Sequence, residues 1–206
     1  DLFVFIFNPY SKYDDVYVSK SDKTKHGAKT GLSVNLKEHL WNEHGAVWQG
    51  SAGTKNWISW AYNQLDYRVL ATAFDIIQPD LTIAQLSDPV LVLRHMSEAI
   101  SSKLLAGRWD GNYADGKRPG FWSSSLQIVK EFQTTKSKVK YGQCWVFAAL
   151  GTSFSRAMGI PARTVTNYDS VHIRGGDGSG ECHSYFSQKE DGSWSIDSSK
   201  SNYSIW

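Results

Sequence analysis

Chemistry first becomes possible in this chain at a cysteine followed by a helical pattern. Gly142 offers a permissive turn, and from Cys144 onward Phe147, Leu150, Phe154 and Met158 recur at helical spacing until Gly159 and Pro161 stop the run. Cys144 is therefore predicted at a helix N-terminus, where unpaired backbone N–H groups and the positive end of the helix dipole favour thiolate over thiol. The same N–H groups can stabilise an oxyanion, so the position suits nucleophilic acyl transfer. It suits a small buried hydrophobe as well, a common fate of free cysteine. Residue type and place alone leave both readings open.

The elements that must hold this helix are legible on either side. Leu65, Val69, Leu70, Ala73, Phe74 and Ile77 recur at helical spacing. Asp88-Pro89 reads as an N-cap with proline at the first helical position, opening a helix to about Ile100. Ser124 with Gln127 has capping-box spacing and starts another, to near Phe132. Val139-Lys140-Tyr141 is a short approach to Gly142, and Asn42-Glu43-His44-Gly45 is a turn before Ala46-Val47-Trp48. Leu2 to Phe7 reads as a buried strand stopped by Asn8-Pro9; with no initiator Met and no basic region before it, it is expected to be a strand of the fold and not a signal peptide. Ser19 to Lys29 carries Lys20, Lys23, Lys25, His26 and Lys29 among small polar residues and reads as a solvated loop, with a basic binding patch as the alternative. There is no internal repeat, and the expected class is α+β in a single domain.

Composition narrows the function classes. The 206 residues suit one domain. Lys plus Arg (22) against Asp plus Glu (20) leaves +2, which is no electrostatic footprint for nucleic acid. No apolar run approaches the ~18 residues of a membrane span. Cys144 and Cys182 are too few for a disulfide framework, so cytoplasmic and extracellular settings both stay open. Nine tryptophans are the oddity of the composition.

Tyr141-Gly142-Gln143-Cys144-Trp145-Val146-Phe147-Ala148 resembles the active-site signature of the animal transglutaminases. Gly107-Arg108-Trp109-Asp110-Gly111-Asn112-Tyr113 resembles the family's segment upstream of the nucleophile. Gly159 to Asn167 resembles its strand after the nucleophile helix, and Phe7-Asn8-Pro9, Asn42 to Gly45 and Gln49-Gly50-Ser51 match early parts of the core. The resemblance implies a papain-like core, a nucleophile helix packed on a mainly antiparallel sheet, of which residues 1–206 form a first part without the family's flanking β-sandwich and β-barrel domains. It implies that Cys144 attacks the carboxamide of a protein-bound glutamine, ammonia leaves, and the thioester passes to a lysine amine, with small amines or water competing. It assigns the Trp109 indole, a donor only, to the oxyanion, and Trp206 to a wall of the tunnel through which the amine arrives.

The family pattern breaks at the base that a cysteine nucleophile needs. There Ser-Ile-Trp is followed directly by Asn-Phe-His, whose histidine is the base; Ser204-Ile205-Trp206 closes this sequence, so the resemblance puts the catalytic His and Asp beyond it. The core is then incomplete on its C-terminal side, and the chain alone is expected not to transamidate. A rival alignment completes a triad internally, because His183 with Gly192, Trp194 and Asp197 resembles the broader transglutaminase-like peptidases and would make a cysteine peptidase or deamidase. A scaffold of the same fold without activity is the third reading, and Cys144 argues against it. His26, His39, His44, His95 and His172 read as solvated or structural, without zinc spacing.

Calcium is the cofactor that the resemblance implies, and the sequence offers little to hold it. The loop after Ile100 is acidic and Asn-rich in many members, whereas Ser101-Ser102-Lys103 is short and carries a cation. Asp177, Ser179 and Glu181 are the remaining oxygen donors, in a glycine-rich loop. No nucleotide is expected, since Gly53-Thr54 stands where nucleotide-binding members have Lys-Phe.

Overall fold

The structure, a computed structural model, describes residues 7–18, 35–51, 53–168, 171–173, 186–196 and 203–205. Two compact units divide the chain. One takes Asp1–Trp48 with Trp57–Val165, and the other takes Gln49–Asn56 with Thr166–Trp206.

The first unit is built around four helices: α1 (Tyr67–Ile77), α2 (Pro89–Ala99), α3 (Ser125–Thr135) and α4 (Cys144–Ala157). Capping chemistry sets where three of them begin. Asp88 accepts from the N–H groups of Val90 and Leu91, with Pro89 in the first turn. Ser124 accepts from Leu126 N–H, as its residue type predicts. Gln127 departs from the capping-box reading: its Oε1 accepts from Ser123 N–H at 3.2 Å, one residue earlier than expected. α1 begins after Asp66, which accepts from Arg68 N–H, so Leu65 falls outside the helix and is exposed. α2 runs into a π-helical turn, Ile100–Leu104, that leads directly into a strand.

Val69, Ala73, Ile76 and Ile77 of α1, Val92 and Met96 of α2, Ile128 and Val129 of α3, and Val146, Leu150 and Phe154 of α4 share one core. Each fully buried aliphatic side chain of this kind is worth about 1.5–3 kcal/mol. A polar thread runs through that core. Trp60 Nε1 donates to Ser125 Oγ at 3.0 Å, Ser125 Oγ lies 2.6 Å from Ser153 Oγ, and Ser153 Oγ donates to the Ala149 carbonyl at 3.0 Å. It ties α3 to α4 without leaving a hydroxyl unpaired.

The strands are short. β1 (His44–Gly50) pairs with β2 (Lys55–Ala61), so the turn expected through Gly45 gives way to strand from His44. β3 (Leu105–Gly107) pairs in parallel with β4 (Val139–Gly142), immediately before α4. In the second unit β5 (Val171–Ile173) pairs antiparallel with β8 (Tyr203–Ile205), and β6 (Phe186–Gln188) with β7 (Trp194–Ile196). Among the described residues no helix is long and apolar enough to cross a membrane.

Candidate active site

The parallel β3–β4 pair builds the site. Its register sets Leu105 opposite Val139 and Gly107 opposite Gly142, and Arg108 N–H donates to the Gly142 carbonyl at 3.2 Å. Two residues beyond the paired glycines stand Trp109, after the end of β3, and Cys144, at the start of α4. Both glycines are needed for close approach. A Cβ on Gly107 would lie 2.6 Å from the Trp109 ring, and one on Gly142 would lie 2.5 Å from Leu105 Cδ2 and 3.3 Å from Phe147 Cε2. Phe147, expected on the core face of the helix, is half-buried, packs against the core and also lies over the glycine pair.

Cys144 is the first residue of α4 and is exposed. No side chain caps this helix. The N-cap residue, Gln143, turns its amide away from the helix: Nε2 donates to the Arg108 carbonyl and to Tyr113 Oη, both at 3.1 Å. Trp109 is half exposed, with its ring against Gly107. Trp60 and Trp122, by contrast, are buried, and Trp122 Nε1 donates to the Tyr141 carbonyl at 2.8 Å.

A carboxylate joins the two strands from outside. Asp115 accepts from Arg108 Nη1 at 2.8 Å, Lys140 Nζ at 2.9 Å and Tyr141 Oη at 2.8 Å. The hydrogen bond from Lys140, and then that from Tyr141, hold its carboxyl well below the usual carboxylate range. The Arg108 guanidinium also stacks 4.0 Å from the centre of the Tyr141 ring. Lys140 and Tyr141 lie 25 and 26 residues from Asp115, and no local motif announced the pairing.

Residues 112–196 match the family described as the transglutaminase-like superfamily. Annulin of Schistocerca americana is 33% identical over 178 residues, which are 84% of this chain and 22% of annulin. The human coagulation factor XIII A chain is 32% identical over 172 residues, 81% of this chain and 22% of that one. The crystal structure of red sea bream transglutaminase superposes with a TM-score of 0.62 at 32% identity, covering 76% of this chain and 24% of that one. The chain belongs to the transglutaminase-like superfamily. It has the α+β fold of that family and spans about a quarter of the length of these relatives.

Of the site residues that the transglutaminase resemblance assigned, Cys144 and Trp109 each stand two residues beyond the paired glycines Gly142 and Gly107. Trp206, His183, Asp197, Asp177, Ser179 and Glu181 lie outside the described residues, as do His26 and the basic loop from Ser19. His39 is engaged locally, its Nδ1 lying 2.8 Å from the Asn35 carbonyl oxygen. Among the described residues no three His, Cys, Asp or Glu side chains cluster as a metal site. Calcium does not fit the turn after α2, because Lys103 Nζ already donates to the Ile76 carbonyl at 2.9 Å and pairs with the Asp80 carboxylate. The ammonium occupies the oxygen donors that a hard cation would require.

Proposed function

We propose that the protein containing this chain is a protein-glutamine γ-glutamyltransferase in which Cys144 is the nucleophile. The observation that carries the reading is the β3–β4 register, which pairs Gly107 with Gly142, two residues before Trp109 on one side and two before Cys144, in the uncapped first turn of α4, on the other. The Cys144 thiolate attacks the carboxamide carbon of a protein-bound glutamine, and the carbonyl oxygen becomes an oxyanion. Backbone N–H groups of the α4 terminus and the Trp109 indole N–H are the donors aimed at that charge. Collapse of the intermediate, with a proton delivered to the leaving nitrogen, releases ammonia and leaves a thioester. A lysine amine then attacks the thioester to give an isopeptide bond and return the thiolate. Trp206 would wall the path of the amine.

The proton transfers need a base, for which the family pattern supplies a histidine following Ser-Ile-Trp and the peptidase pattern supplies His183 with Asp197. Calcium takes no step in this sequence. The test is incorporation of a fluorescent amine into a glutamine-donor peptide by the full-length protein, with and without Ca²⁺. Label incorporation that Cys144→Ala abolishes is the expected result. Peptide cleavage lost in His183→Ala would replace the reading with a peptidase, and no reaction under either condition would leave a scaffold.

A further inference from the structure

We infer that Asp115 is a positioning residue for the acyl-transfer centre: its carboxylate clamps Arg108 to Tyr141 and thereby holds the Trp109 indole beside the Cys144 end of α4. The inference rests on the proposed roles of Cys144 and Trp109. Trp109 has little of its own to fix it, since it is half exposed and its ring leans on the backbone of Gly107. Its position is set by the chain that carries it, residues 108–117, a strap that leaves β3 and returns to β4. The return is pinned by Lys117 N–H donating to the Lys140 carbonyl and Tyr141 N–H donating to the Lys117 carbonyl, both at 2.8 Å.

The departure is pinned by Arg108, the residue next to Trp109. Arg108 Nη1 donates to the Asn112 carbonyl at 2.9 Å and to Asp115, and its guanidinium lies against Tyr141. Tyr141 stands three residues before Cys144 and directs its hydroxyl at both oxygens of the same carboxylate, 2.8 Å from each. Removing that one charge takes a charged hydrogen bond from Arg108 and from Tyr141 together. Arg108, Lys140 and Asp115 are all partly exposed, and ion pairs between such groups add little to stability. What the carboxylate supplies is geometry, and transition-state hydrogen bonds are sensitive to displacements of about 1 Å.

The experiment uses the full-length protein and compares Asp115→Asn, Tyr141→Phe, the double variant and Trp109→Ala. Ammonia release from a glutamine-donor peptide is followed beside alkylation of Cys144 by iodoacetamide, a reaction that needs the thiolate and no oxyanion donor. Asp115→Asn is expected to lower kcat for ammonia release about tenfold or more. KM, alkylation rate and thermal midpoint should stay near wild type, and the double variant should be no worse than the more affected single. An unchanged kcat, or a kcat loss matched by slower alkylation and a lower midpoint, overturns the inference. Trp109→Ala separates the two levels. If it lowers kcat while Asp115→Asn does not, the clamp alone is wrong; if Trp109→Ala is silent, the oxyanion role beneath it fails as well.

Discussion

Gly107 and Gly142 face each other across two parallel strands, and each stands two residues before a member of the proposed centre, Trp109 or Cys144. The pair is crowded from both sides, by Trp109 and Phe147 over Gly107 and by Leu105 and Phe147 over Gly142. The two positions should therefore respond differently to an added methyl group. Gly142→Ala presses on buried Leu105 and is expected to cost about 1–3 kcal/mol in urea unfolding. Gly107→Ala presses on the half-exposed Trp109 ring, which can swing away, so stability should fall less while amine incorporation drops.

Trp109→Phe keeps an aromatic ring and removes the indole N–H. Loss of one oxyanion donor is expected to lower kcat by about 10²–10³. Alkylation of Cys144 should be unaffected, because no oxyanion forms in that reaction. Equal losses in both assays would mean that the tryptophan shapes the thiol and not the transition state.

Ser125 supplies the hydroxyl between Trp60 and Ser153 in the core. Ser125→Ala strands the Trp60 indole N–H and should destabilise by about 1–3 kcal/mol. Ser153→Ala in the Ser125→Ala background should add little, since the hydrogen bond between the two serines is already gone. Additive losses in chemical denaturation would contradict this.

Asp66 caps α1, and the hydrogen bond from the Arg68 side chain holds its carboxyl down to about 2. A depressed carboxylate stabilises the fold above its unfolded value of about 4, and that contribution disappears as pH falls through about 2. Asp66→Ala should thus cost about 0.5–2 kcal/mol at neutral pH. The gap from wild type should close as pH falls between about 4 and about 2. A constant gap over that range would show that the carboxylate charge is not the source.

The α4 helix was legible because its signals are local: a turn glycine, apolar residues at helical spacing, and a glycine with a proline at the end. Asp88 and Ser124 were legible as caps for the same reason, since each acts on N–H groups two or three residues away. The β3–β4 register was not. β3 has three residues, too few to show a period of two, and parallel partners lie 34 positions apart at Leu105 and Val139. Asp115 was missed on similar grounds, because Tyr141 and Lys140 lie 26 and 25 residues away and neither pairing has a sequence signature. Phe147 packs against the core as its helical spacing predicts, while its place over the glycine pair is a tertiary contact that periodicity does not carry.

The most direct measurement of the central claim is the intact mass of the full-length protein after brief exposure to a glutamine-donor peptide, followed by acid quench and peptide mapping. The account predicts an adduct of the peptide less one ammonia on Cys144, discharged by added amine and absent from Cys144→Ala. No adduct in the presence or absence of Ca²⁺, or an adduct on any other residue, would contradict it.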